Sequence, residues 1–153
     1  MLQLTRKTDY ALVALADLAR RKLDEAGPTS ARTIAEAYSM PLPLLMNILK
    51  ELAQAKLVTS TRGASGGYQI AVEPSRVSML EVINAIEGPV KLSPCCDQLP
   101  IADQGCGRED LCPIHQGINR VHRRIIDFFG QVMLNELIDE QVVTTPLSTS
   151  AKS

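Results

Sequence analysis

The sequence predicts a mainly α-helical fold with one small β-hairpin and a long helix towards the C-terminal end. Three observations lead there. Apolar residues recur at helical spacing in several separate stretches. A glycine-rich run, TRGASGG at 61–67, sits between two short segments of strand character. From residue 113 a single apolar stripe continues for about five turns. At 153 residues, 45% apolar and 22% charged, the chain has the size and composition of one globular core with an appendage.

The elements follow in order. Residues 7–21 set Tyr10, Val13, Ala14 and Leu18 at helical spacing, with Arg6, Lys7, Arg20 and Arg21 at the ends. The loop DEAGPTS is dense in turn residues, and Ser30 suits the N-cap of a short helix through Tyr38. Pro41 and Pro43 fit a helix entry, where the missing N–H groups are not needed. Beyond them Leu45, Ile48, Leu49 and Leu52 form one buried stripe, while Leu44, Met46, Asn47, Lys50 and Glu51 face the other way. Two short helices joined by a tight turn, the second with a polar outer face, make a helix-turn-helix pattern. Segments 57–60 and 68–71 read as the strands of a hairpin that follows it as a wing. Ser78 and Glu81 form a capping box for MLEVINAIEG, which Gly88 ends. Pro113 opens the longest helix, on which Ile114, Ile118, Val121, Ile125, Phe128 and Phe129 line one side. The expected organisation is a winged helix-turn-helix over 1–88, a cysteine loop over 89–112, a dimerisation helix region over 113–140, and a disordered polar tail over 141–153.

Charge excludes some partners and leaves others to local placement. The formal net charge is −1, and residues 1–90 carry ten Lys/Arg against nine Asp/Glu, so no global basic field attracts nucleic acid. No apolar run has the length of a membrane span, and Asp9 and Asp17 interrupt the N-terminal apolar stretch, so we expect no membrane partner and a cytoplasmic location. The five aromatics (three Tyr, two Phe) do not cluster, which argues against stacking on single strands. Double-stranded DNA fits better. Arg62, beside Gly63 at the hairpin tip, can enter a narrow groove. Asn47 suits contact with adenine and Lys50 with phosphate, with Pro43 and Leu44 at the start of the same helix. Thr5, Lys7 and Ser30 are further candidates for phosphate contact. No nucleophile triad, phosphate loop or paired-carboxylate cleft can be placed, so an enzyme is not expected.

All four cysteines, Cys95, Cys96, Cys106 and Cys112, fall within 18 residues, and His115 follows three after the last. In a reducing compartment such a cluster points to a soft metal or a redox centre rather than to disulfides. Read from the residues alone, structural zinc and an iron–sulfur cluster stand level, with a metal-free thiol switch third. Adjacent cysteines seldom both ligate one small cluster, so one of Cys95 and Cys96 is spare.

The phrases LTRKTDYAL, RGASGGYQIA and MLEVINAIEGPV, with the cysteine loop ahead of a long helix, resemble the Rrf-two family of bacterial transcription regulators over residues 2–138. TDYAL and EGPVKLSPC look most like its branch that regulates the sulfur-mobilisation (SUF) cluster-assembly operon. The resemblance implies a homodimer bound to operator DNA, probing cellular state through an iron–sulfur cluster, 2Fe–2S or 4Fe–4S, and acting as a repressor of cluster-assembly or iron and redox stress genes. It implies three cysteine ligands and a variable fourth, onto which Cys106, Cys112 and His115 map. The first ligand departs from the pattern. The lengthened loop DQLPIADQG leaves Cys95 and Cys96 both open. The start of the recognition helix departs too, with Pro41, Pro43, Leu44 and Met46 where relatives carry polar or acidic residues. The alternatives are a zinc- or thiol-based regulator of the same fold, and an iron–sulfur or redox protein that does not bind DNA.

Overall fold

The computed structural model describes residues 3–96, 107–108 and 110–138. Cys106 and the polar tail lie outside the described residues, as do residues 97–105 and 109 of the cysteine loop.

Helix α1 (Arg6–Leu23) is capped by Thr5, whose hydroxyl accepts from the Thr8 amide. Helix α2 (Ala31–Ala37) is capped by Ser30 through the Thr33 amide, as the sequence predicts. Helix α3 (Leu42–Gln54) begins at the two prolines, with Pro41 as N-cap. The predicted stripe Leu45, Ile48, Leu49 and Leu52 is wholly buried. It packs on Ala11, Ala14, Leu15 and Leu18 of α1 and on Ile34 of α2 within one core. Asp17 fastens this arrangement from within. Its carboxylate, 7% exposed, accepts from Arg21 at 2.6 Å and from the Tyr38 hydroxyl at 2.8 Å, tying α1 to the end of α2. Burial, with the Asp17 hydrogen bond adding to it, holds the Tyr38 hydroxyl above its ordinary pKa.

Strands β1 (Val58–Thr61) and β2 (Gly67–Ile70) pair antiparallel with Val58 opposite Ile70 and Thr61 opposite Gly67. A third segment, which the sequence did not announce, joins them. Thr29 and Tyr68 exchange both backbone hydrogen bonds, at 3.0 and 2.7 Å, which seats the wing against the start of α2. Gly67 permits this approach: at φ +152 any Cβ would meet the Thr29 backbone at 2.5 Å.

Helix α4 (Met79–Glu87) has the predicted capping box, and Gly88 ends it at φ +80. The long helix α5 (His115–Gln131) starts two residues later than the sequence suggests, with Cys112 and Pro113 in the turn ahead of it. A short α6 (Leu134–Leu137) follows. The chain after α5 returns to the head. Met79 donates to the Val132 carbonyl and the Leu134 amide to Val77, at 2.8 and 2.7 Å. Leu134 is 1% exposed within the head's core, so this core draws on a residue from beyond the long helix and does not close at residue 88. Among the described residues no helix is long and apolar enough to cross a membrane.

Candidate nucleic-acid interface and metal centre

The head presents two exposed features on one connected frame. On α3, Asn47 and Lys50 are exposed, one turn apart along the face opposite the buried leucines. Met46, 50% exposed, and Pro43 stand beside them, whereas Leu44 is half-buried against the core. The second feature is the hairpin tip, residues 62–66. Gly66 donates to the Gly63 carbonyl at 3.0 Å, closing a tight turn, and Gly63 sits at φ +114. A Cβ on Gly66 would lie 2.1 Å from the Thr61 carbonyl oxygen, so the turn has no room for a side chain there. Arg62 is exposed at this tip with only small residues after it. Ser30 is exposed but occupied as a cap, its hydroxyl also 2.8 Å from that of Thr33.

Thr5, which is exposed, and Lys7, which is half-buried, both bond to other parts of the fold. The Lys7 ammonium donates to Glu51 at 2.8 Å and reaches the Ile86 carbonyl at 3.5 Å. The Thr5 and Thr8 hydroxyls both donate to Glu87. These two hydrogen bonds hold the Glu87 carboxyl below its ordinary pKa. The sequence does not mark Thr8, Glu51 or Glu87 for this role. Their contacts span 44 to 82 positions along the chain, and no local pattern announces them.

The described part of the cysteine region separates the adjacent pair. Pro94–Cys96 is a short 3-10 turn. Cys96 is 4% exposed and faces a cavity of about 470 Å³ between α4, the 89–96 segment and α5, shared with Leu80, Asn119, His122 and Ile126. Burial raises the Cys96 thiol's pKa, and the neighbouring Cys95 adds to the effect. Cys95 is half-buried, with its sulfur 3.3 Å from the Ser93 hydroxyl. Cys112 and His115 line one groove at the start of α5. His115 Nε2 lies 3.4 Å from the Asn119 amide nitrogen, and its Nδ1 is buried without a hydrogen-bond partner. Cys95, Cys96 and Cys112 are free thiols. Among the described residues no three His, Cys, Asp or Glu side chains come together around one point. The donor set nevertheless fits a soft centre: free thiols and a half-buried imidazole with an unused ring nitrogen.

On α5 no residue is fully buried. Its inner side packs on α4, where Gly130 would bring a Cβ to 3.7 Å from Leu80. Its outer side carries Ile114, Val121 and Phe128, exposed by 63%, 47% and 61%, with Ile118 and Ile125 half-buried between them. Steps of four and three residues along this row are the spacing of a helix–helix seam. Phe129 lies half-buried beside it, its ring 5.8 Å from that of Phe128. Arg120, Arg123 and Arg124 are exposed.

Comparison with known proteins decides the family. Residues 4–140 match the profile of the Rrf2 family, described as an iron-dependent transcriptional regulator. The chain belongs to the Rrf2 family. It is 31% identical to the HTH-type transcriptional regulator IscR of Xenorhabdus nematophila, over 93% of this chain and 82% of that protein. The Escherichia coli regulator of the same name is equally identical, with 83% of its length covered. Among solved structures, CymR, the global cysteine regulator of B. subtilis, superposes with a TM-score of 0.67 at 27% identity, covering 90% of this chain and 97% of that one. T. potens IscR gives 0.66 at 25% identity, covering 95% and 93%. These Rrf2 relatives are transcriptional regulators and not enzymes, and the mainly helical fold with a two-stranded wing is theirs.

Proposed function

We propose that this Rrf2-family transcriptional regulator binds operator DNA as a homodimer and holds an iron–sulfur cluster that controls its affinity, acting as a repressor. The observation that carries the DNA reading is the pairing of an exposed α3 face with a glycine-built hairpin tip that exposes Arg62. A protein without a DNA partner has no need of a turn too tight for side chains behind a lone guanidinium. In this reading Arg62 and Gly63 enter the minor groove, and Asn47 and Lys50 face the major groove beside Pro43 and Leu44. Ser30, exposed at the start of α2, would offer its hydroxyl to a phosphate while it caps that helix.

The centre is assigned to Cys95, Cys106, Cys112 and His115. Cys95 is preferred over Cys96 because Cys96 is enclosed beneath α5, while Cys95 is half-buried beside it. The thiolates and imidazole would hold the cluster, which supplies sensitivity to iron supply or oxidation when bound. Two chains meet along Ile114, Ile118, Val121, Ile125, Phe128 and Phe129, since an apolar row this exposed calls for a partner and its spacing suits a second copy of itself.

Anaerobic purification with visible absorption and assays of iron, acid-labile sulfide and zinc tests the centre. The expected result is a brown protein with iron and sulfide, which loses its colour in Cys95→Ala and Cys112→Ala and keeps it in Cys96→Ala. Zinc in place of iron would make the centre structural and remove the sensing role, leaving DNA binding intact.

A further inference from the structure

Lys7 lies near the proposed DNA face, and a cation there is ordinarily read as a phosphate contact. Its surroundings point elsewhere. Its ammonium is 2.8 Å from Glu51 on α3 and 3.5 Å from the Ile86 carbonyl at the end of α4. The other Glu51 oxygen, Oε2, is buried without a hydrogen-bond partner, so Lys7 is the carboxylate's bonding partner among the described residues. Alongside, Thr8, fully buried, donates to Glu87 at 2.7 Å, and Thr5 donates to the same oxygen. The first turn of α1 thereby grips α3 and the last turn of α4 together. Glu51 is one turn from Asn47 and adjacent to Lys50, so the Lys7–Glu51 pair adds to the buried leucine stripe in holding the face that carries both.

We propose that Lys7 is a positioning residue for the recognition helix, acting through Glu51, and that its charge is used inside the protein and makes no phosphate contact. Glu87, Thr5 and Thr8 form the second half of the same junction. Glu87 is followed by Gly88 and then by the segment that ends at Cys95 and Cys96, so the junction is also where a displacement of that segment meets the recognition helix. This role for Lys7 rests on the DNA-binding reading.

The two roles predict opposite signs for Glu51→Gln and different salt slopes for Lys7→Met. If Lys7 touched a phosphate, Lys7→Met would lower the slope of log affinity against log salt by about 1.8, for the two copies in the dimer. In that case Glu51→Gln, which removes a negative charge beside the DNA, strengthens binding or leaves it unchanged. A positioning role predicts that Lys7→Met and Glu51→Gln each weaken binding, by roughly tenfold, with the salt slope unchanged. It also predicts that the double variant binds no worse than either single one, because both break the same interaction. The experiment is fluorescence anisotropy of the full-length dimer on a duplex selected from a random pool, over a KCl series from roughly 50 to 300 mM, with far-UV circular dichroism to confirm that each variant is folded. A slope reduced by about two ions for Lys7→Met, or tighter binding by folded Glu51→Gln, overturns the inference while leaving the regulator reading standing. A wild-type protein that selects no duplex overturns both.

Discussion

A guanidinium at the tip of a two-stranded hairpin has little structural work to do. Arg62 is exposed, and no hydrogen bond or ion pair fixes it among the described residues. Arg62→Ala is therefore expected to leave thermal stability within about 0.5 kcal/mol and any bound iron unchanged. It should weaken operator binding by about 1–3 kcal/mol, read as an anisotropy shift. Glu87 offers a different test. Its carboxyl is held below the ordinary value of 4.5 by the Thr5 and Thr8 hydroxyls. A depressed carboxyl contributes stability above its unfolded pKa and loses it as pH falls through the folded one. Urea midpoints measured from neutral pH down to about pH 3 should fall on acidification in the wild type. The fall should be smaller in Glu87→Gln, which has no proton to take up.

At the scale of elements, most of the helices were legible because their signals are local. Ser30, the Ser78–Glu81 box, the prolines at the start of α3 and Gly88 each mark an end through chemistry within four residues. What the sequence concealed is long-range. The Thr29–Tyr68 bridge joins segments 39 positions apart, and its one local trace is Gly67, whose need for positive φ does not reveal the strand packed against it. Gly67→Ala should cost about 2 kcal/mol or more, seen as a lowered melting temperature, because its Cβ collides with backbone and not with a yielding side chain. Leu134 was likewise invisible as a head residue, since the short run around it has no periodicity strong enough to say where it packs. Leu134→Ala should destabilise by about 2–5 kcal/mol in denaturant unfolding, as for other fully buried leucines. The candidate site divides the same way. The cysteines and Arg62 were evident by residue type, whereas the burial that separates Cys96 from Cys95 depends on α5, some twenty residues on.

At the scale of the molecule, the proposed dimer rests on the outer row of α5. Val121→Glu would place a carboxylate in the middle of that row, where a second copy is expected to cover it. Sedimentation velocity should then show a monomer in place of a dimer, with the head still folded, because Val121 lies outside the head's core. A symmetric pair of heads reads a two-fold-related operator, so loss of the dimer should also cost most of the DNA affinity. The proposed sensing role requires coupling between this readout and the cysteine centre, and a single titration decides whether it exists. Anaerobically purified protein is titrated by anisotropy onto its selected duplex, before and after the iron is removed by chelation. Coupling requires sequence-selective binding whose affinity differs by at least about fivefold between the two forms. Equal affinity with and without iron, or binding that ignores sequence, would contradict it.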